Sequence, residues 1–207
     1  MNMNGVFENI REEAQRFFLT ARGSHDWSHT ERVHNLCMHI GKKENADLYI
    51  LSLSAFLHDI GRGQQDKTNG SICHGERGAT MARELLERHN LDQRTIGKII
   101  HCIENHRFRG AKVPRTKEAQ VLYDADKLDS IGAVGIARAF AFGGFKNRPL
   151  WREDDDGEHT TLQEFRVKLV KVKDTLFTHT ARQIAQERHQ YMVGFFEQMA
   201  AEVTGGK

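Results

Sequence analysis

The feature that most constrains this chain is the segment ADLYILSLSAFLHDIG at residues 46–61. It is apolar or small almost all the way round, so a helix built from it has no face to offer water and must run through the middle of the fold. Its far end carries a neighbouring imidazole and carboxylate, His58 and Asp59, just before Gly61. Two ionisable groups at the end of a buried helix are costly unless something pairs with them. A divalent cation does so well, because it accepts neutral imidazole nitrogen and anionic carboxylate oxygen together. The structural alternative is an Asp–His hydrogen bond beside a helix terminus.

Around this segment the chain reads as seven or eight helices, and no strand-period stretch stands out, so the expected fold class is all-α. A first helix spans roughly 6–21 and closes at Gly23. A second starts near Ser28, with Asp26 as its N-cap, and sets Val33, Leu36, Cys37 and Ile40 at helical spacing. After Gly61 comes a polar loop, GRGQQDKTNGSIC. Helices are then expected at 74–89, at 92–106, and as one long element at 116–142. The stretch 143–160 lacks periodicity and is expected to be a long loop or lid. Two C-terminal helices, 161–172 and 176–203, should pack on the rest. With 207 residues, a single domain covering 1–207 is expected.

Thirty basic and 28 acidic side chains leave a net charge of +2, which disfavours a dedicated nucleic-acid binder. The three cysteines, Cys37, Cys73 and Cys102, form no CxxC pair, and reduced thiols are the simplest account. No signal-like or membrane-spanning apolar run is visible, so the expected location is cytoplasmic, with no membrane partner. Whether copies of the chain associate is left open.

His29 precedes Val33 by four residues and Leu36 by seven, on the apolar stripe of its helix, and should face inward. Taken alone, a hydrogen-bonded core histidine is a better account of it than a ligand. Three aspartates, Asp124, Asp126 and Asp129, interrupt the otherwise apolar VLYDADKLDSIGAVGIAR. Asp126 shares a stripe with Ala119, Leu122 and Ala133; Asp124 shares one with Val121, Leu128 and Ile131. Periodicity does not choose between them. His74 is in register with Gly78, Met81, Ala82 and Leu85, and His106 with Ile96, Ile99 and Ile103, so both should face the core side.

The order H…HD…D, carried by HDWSHTERV, FLHDIGR and YDADKLDSIG, resembles the HD superfamily of metal-dependent phosphohydrolases. HGERGATMARELL and IIHCIENHRF are similar to the segments that follow the HD loop in that family. FRVKLVKVKDTLFTHTARQIAQERHQYM resembles a subgroup of small bacterial members with no assigned substrate. The resemblance implies one HD-type helical domain whose metal ligands are His29, His58, Asp59 and, through the Ala125-Asp126 dipeptide, Asp126. The dipeptide His25-Asp26 is also an HD pair, but it lies in a polar turn and reads as capping. His74 and His106 would bind substrate phosphate, relatives using histidines here for phosphate or for a second metal.

The implied activity is hydrolysis of a nucleotide or another small phosphate ester through a metal-activated water. Asp59 and Arg62 are then the catalytic candidates, Arg62 standing where many relatives carry a phosphate-side lysine. Lys127, Lys168, Arg182 and Arg188 are further cations able to serve the site, though a solvated helix face is the expected place for each. Trp151, Phe145 and Tyr123 are candidates for stacking a base. The donor set admits Mn, Fe, Co, Ni, Zn or Mg. A metal-retaining nucleotide-binding or regulatory module with little turnover is the alternative. No GxxxxGK loop, HExxH helix or GxSxG elbow is present, while a Cys–His nucleophile at Cys37 or Cys102 stays open.

Overall fold

The structure is a computed structural model that describes residues 3–19, 26–67, 74–107, 113–153 and 160–206. Among these the fold is all-α, as expected. Ten α-helices follow one another: α1 (Met3–Arg16), α2 (Trp27–Glu44), α3 (Leu48–Leu57), α4 (Arg62–Lys67), α5 (His74–Arg88), α6 (Gln93–Asn105), α7 (Lys117–Leu128), α8 (Gly132–Phe145), α9 (Thr161–Val167) and α10 (His179–Val203). A 3-10 helix, Leu169–Asp174, lies between α9 and α10. No single helix among the described residues is long and apolar enough to cross a membrane. The chain forms two compact units, Met1–Ala125 and Asp126–Lys207.

In the first unit α3 is the central element, packed against α1, α2 and α6, while α5 lies on α6 and α4. Every α3 residue from Ile50 to Leu57 is buried. This is the outcome that its all-round apolar sequence requires. Asp47 caps α3 by accepting from the amides of Tyr49 and Ile50, and Asp26 and Asp92 cap α2 and α6 in the same way. Asn45, in the left-handed region at φ 54°, ends α2 and turns the chain into α3.

Gly61 does more than end a helix. A Cβ at this position would stand 2.4 Å from the His74 carbonyl oxygen and 2.6 Å from the Gly78 amide nitrogen. The turn after α3 and the first turn of α5 therefore meet backbone to backbone, which brings His74 beside the HD pair.

In the second unit α10 packs on α8 and the 3-10 helix, and α9 on α8 and the 3-10 helix. Phe165 and Phe196 stack with centroids 4.2 Å apart, with Phe140 and Phe195 around them. A capping box of Thr160 and Gln163 starts α9.

Several expectations need correction. The long sixth helix is two, because the chain leaves helical geometry after Leu128 and restarts at Gly132, whose φ of +76° suits glycine. The expected stripes joining Asp126 to Ala133 and Asp124 to Ile131 therefore do not exist. The polar loop after Gly61 contains the short α4. The segment 161–172 is a short α-helix followed by a 3-10 turn, and the last helix starts at His179 behind the Thr178 cap rather than at 176. Of the expected lid, α8 takes up the first residues to Phe145, 146–153 are irregular, and 154–159 lie outside the described residues, as do His25 and Cys73.

Gly61→Ala should lower stability by about 1–3 kcal/mol, the usual range for overpacking. Gly63→Ala, where nothing lies within 4 Å of the added methyl, should not. Thermal melts of both variants check this, and equal melting temperatures would contradict the close approach.

Candidate functional site

His58 is the C-cap of α3 and Asp59 follows it in the turn, so the most apolar helix of the chain delivers both. His29 sits in the first turn of α2, where the Asp26 carboxylate accepts from its backbone amide at 3.1 Å. Asp26 is thus a cap, as its turn context implied. His74 opens α5 and His106 closes α6. All five residues are buried, none more than 1% exposed: His29, His58, Asp59, His74 and His106.

They converge on Asp59. Its Oδ2 faces the Nε2 atoms of His29 and His58, each 3.8 Å away. Its Oδ1 faces Nε2 of His74 at 3.3 Å and of His106 at 3.6 Å. Each carboxylate oxygen thereby serves one pair of imidazoles. Arg62 closes the arrangement from its rim, with Nη2 3.0 Å from Oδ2 and 3.2 Å from Oδ1. Its side chain is 21% exposed, the most solvent-facing member of the group.

The backbone fixes how two of the rings point. His58 Nδ1 lies 2.7 Å from the Ala55 carbonyl and His106 Nδ1 2.5 Å from the Ile103 carbonyl. A carbonyl only accepts, so both rings donate from Nδ1, which turns Nε2 inward. Histidines that bind metals are oriented in this manner. His58 Nε2 meets His29 Nε2 at 3.4 Å.

Burial pushes the His74 imidazole down to about 2, against the upward pull of Asp59, with Arg62, His106 and Arg107 adding to the depression. His74 is therefore neutral, the protonation state a ligand requires.

The residues present fit a divalent ion. Asp59, His74 and His106 offer ligand atoms that all lie within 4.8 Å of one another. His29 and His58 present a second pair of nitrogens to the other oxygen of the same carboxylate.

The two candidate aspartates stand in α7. Asp124 is fully buried, whereas the Asp126 side chain is 16% exposed and pairs with Lys127 Nζ at 2.7 Å. Lys127 is thus engaged by its neighbour. Lys168 pairs with Glu164 at 2.6 Å, and Arg182 Nε donates to the Leu176 carbonyl at 3.0 Å. Arg188 donates to the Leu128 carbonyl. Tyr123 is 2% exposed and belongs to the core, while Phe145 is exposed beneath Lys146.

Arg107 went unnoticed in the sequence. Its only signal there is a cation directly after His106. Cys37 and Cys102 are both buried, and burial pushes the Cys102 thiol up to about 12, which removes it as a nucleophile.

Comparison with known proteins gives a consistent result. The HD domain family model matches residues 26–131. The uncharacterized protein YpgQ of Bacillus subtilis is 36% identical over 203 residues, covering 96% of this chain and 94% of that protein. The crystal structure of Bacillus subtilis YpgQ in complex with ADP superimposes with a TM-score of 0.77 at 31% identity, covering 98% of this chain and 97% of that one. A crystal structure of an HD-superfamily hydrolase from Bacillus thuringiensis gives a TM-score of 0.78 at 28% identity, covering 97% and 98%.

Alkylation of the native protein followed by peptide mass analysis should leave Cys37 and Cys102 unmodified until the chain unfolds. Rapid labelling of Cys102 in the folded state at pH 8 would contradict its burial.

Proposed function

We propose, from the premise that this chain belongs to the HD domain family, that it is a metal-dependent phosphohydrolase acting on nucleotides. The observation that carries the reading is the Asp59 carboxylate, buried between two pairs of inward-facing imidazoles. A structural role alone gives no reason to gather four histidines around one acid at such a desolvation cost.

In this reading His29, His58, Asp59 and Asp126 hold the ion. Asp126 is assigned by the H…HD…D order, in which the last aspartate follows an alanine. The bound ion would supply a water of lowered pKa and withdraw charge from a phosphoryl oxygen. The chain's own residues do the rest. Asp59 orients the nucleophile side, and His74 and His106 donate hydrogen bonds to the phosphate. Arg62, at the rim, offsets charge that builds on the phosphoryl oxygens. Substrate class is argued from YpgQ, whose structure holds ADP and whose chain matches this one almost end to end.

A second reading of the same cluster has its own support: Asp59, His74 and His106 together can hold a further ion. Elemental analysis separates the two, with one ion per chain supporting phosphate binding by the histidines and two ions supporting a bridging Asp59.

Turnover of a panel of nucleoside mono-, di- and triphosphates and a phosphodiester, with Mn2+, Co2+ or Mg2+ added, tests the activity. Release of phosphate or pyrophosphate is expected from at least one nucleotide. Tight nucleotide binding without turnover on the whole panel would instead favour the regulatory module.

His58→Ala and Asp59→Ala should each abolish bound metal. Asp126→Ala should lose metal while Asp124→Ala keeps much of it, and the reverse pattern would show the family register slid by two residues. His74→Gln with His106→Gln should cut turnover on the order of 100-fold, as lost transition-state donors do, with metal retained at the first site. Wild-type turnover in that folded double variant would overturn the role given to both.

A further inference from the structure

The end of α7 is tied down in a way that an ordinary helix terminus is not. Its last carbonyls normally find water or a local cap. Here three consecutive ones are engaged. The Lys127 carbonyl accepts from Ser130 N at 3.0 Å and Ser130 Oγ at 2.6 Å. The Leu128 carbonyl accepts from Arg188 Nη1, on α10, at 2.6 Å. The Asp129 carbonyl accepts from Arg138 Nη1, on α8, at 3.1 Å.

The same Arg138 nitrogen reaches the Asp129 carboxylate at 2.5 Å, and Asp129 is 1% exposed. Gly132 makes room for this clamp. A Cβ there would stand 2.9 Å from Arg188 Cγ and 3.0 Å from Arg188 Cβ, so the arginine stem fills the space of the missing side chain. Burial lowers the Arg188 pKa and the Asp129 charge raises it again, consistent with a guanidinium kept in place by that acid.

Asp126 lies one helical turn before Asp129, on the stretch of α7 that these contacts hold. We infer that Arg188 and Arg138 are positioning residues, which fix the last turn of α7 and thereby the Asp126 carboxylate for metal binding. The inference rests on the proposed ligand role of Asp126. A site that discriminates by geometry tolerates only about 0.5 Å of looseness in its ligands. Two guanidinium groups from separate helices, each holding one of two successive carbonyls through Nη1, supply that rigidity where an exposed C-terminus would fray.

The test is calorimetric titration of Mn2+ alone into the full chain and its variants, with melting temperatures measured in parallel. Arg188→Ala should weaken Mn2+ affinity roughly tenfold, the lower range for loss of a group that orients a metal ligand. Arg188→Lys keeps the charge but not the planar guanidinium that reaches the Leu128 carbonyl, and should bind between Arg188→Ala and wild type. Phe196→Leu, which loosens the core of the same unit away from α7, serves as the stability control and should keep wild-type affinity despite a lower melting temperature.

Wild-type affinity in Arg188→Ala, alongside metal loss in Asp126→Ala, would overturn the positioning role alone. Wild-type affinity in Asp126→Ala would instead remove the ligand assignment, and this inference with it. Should Arg188→Ala not fold, Arg188→Lys decides: weaker binding at an unchanged melting temperature supports the role, and equal binding overturns it.

Discussion

A carboxylate withdrawn from water and surrounded by imidazoles is the constraint around which the first unit is organised. Asp59 is 1% exposed and has four Nε2 atoms within 3.8 Å and a guanidinium on its outer side. Burying an ionised acid costs several kcal/mol unless charge and hydrogen bonds compensate it. Arg62 supplies one positive charge at the rim. The Ala55 and Ile103 carbonyls accept from Nδ1 of His58 and His106 and so hold both rings with Nε2 turned toward Asp59. Imidazole nitrogens converging on a carboxylate become a favourable arrangement when a divalent cation completes it.

The surrounding fold is what keeps this arrangement from relaxing. α3 carries His58 and Asp59 on a helix with no exposed face, so its end cannot shift outward without dragging apolar side chains into water. Gly61 lets the turn after the pair touch the start of α5, and His74 arrives at Asp59 by that contact. His29 and His106 come from helices packed directly on α3. Three neighbouring elements thus present histidines to one turn. Each does so at a helix end, where a side chain can reach past its own helix.

Much of this was legible in the residues themselves. The apolar sweep of 46–57 identified the central helix. Apolar register pointed His29, His74 and His106 inward, and all three are buried. The caps Asp26 and Asp92 were readable as local chemistry, Asp92 marking the expected start of its helix. What stayed illegible depends on contacts distant in sequence or on the absence of a pattern. The helical period runs unbroken through DKLDSIGAVG, and nothing local announces the break after Leu128. The groups that engage the chain there are Arg138, nine residues beyond Asp129, and Arg188, 60 residues beyond Leu128. The helix α4 is built from RGQQDK, which has no apolar stripe to reveal it. Asp124 and Asp126 both sat in apolar stripes, so spacing alone could not choose between them.

The metal-dependent account stands on whether a cation belongs at Asp59, and anomalous diffraction from crystals grown with Mn2+ examines this without reference to substrate or turnover. The account predicts an anomalous peak at coordination distance, about 2.0–2.3 Å for hard divalent ions and nitrogen or oxygen donors, from the His58 Nε2 and the Asp59 carboxylate. A map that shows no peak among these side chains, with Arg62 still chelating Asp59 at saturating Mn2+, would contradict it.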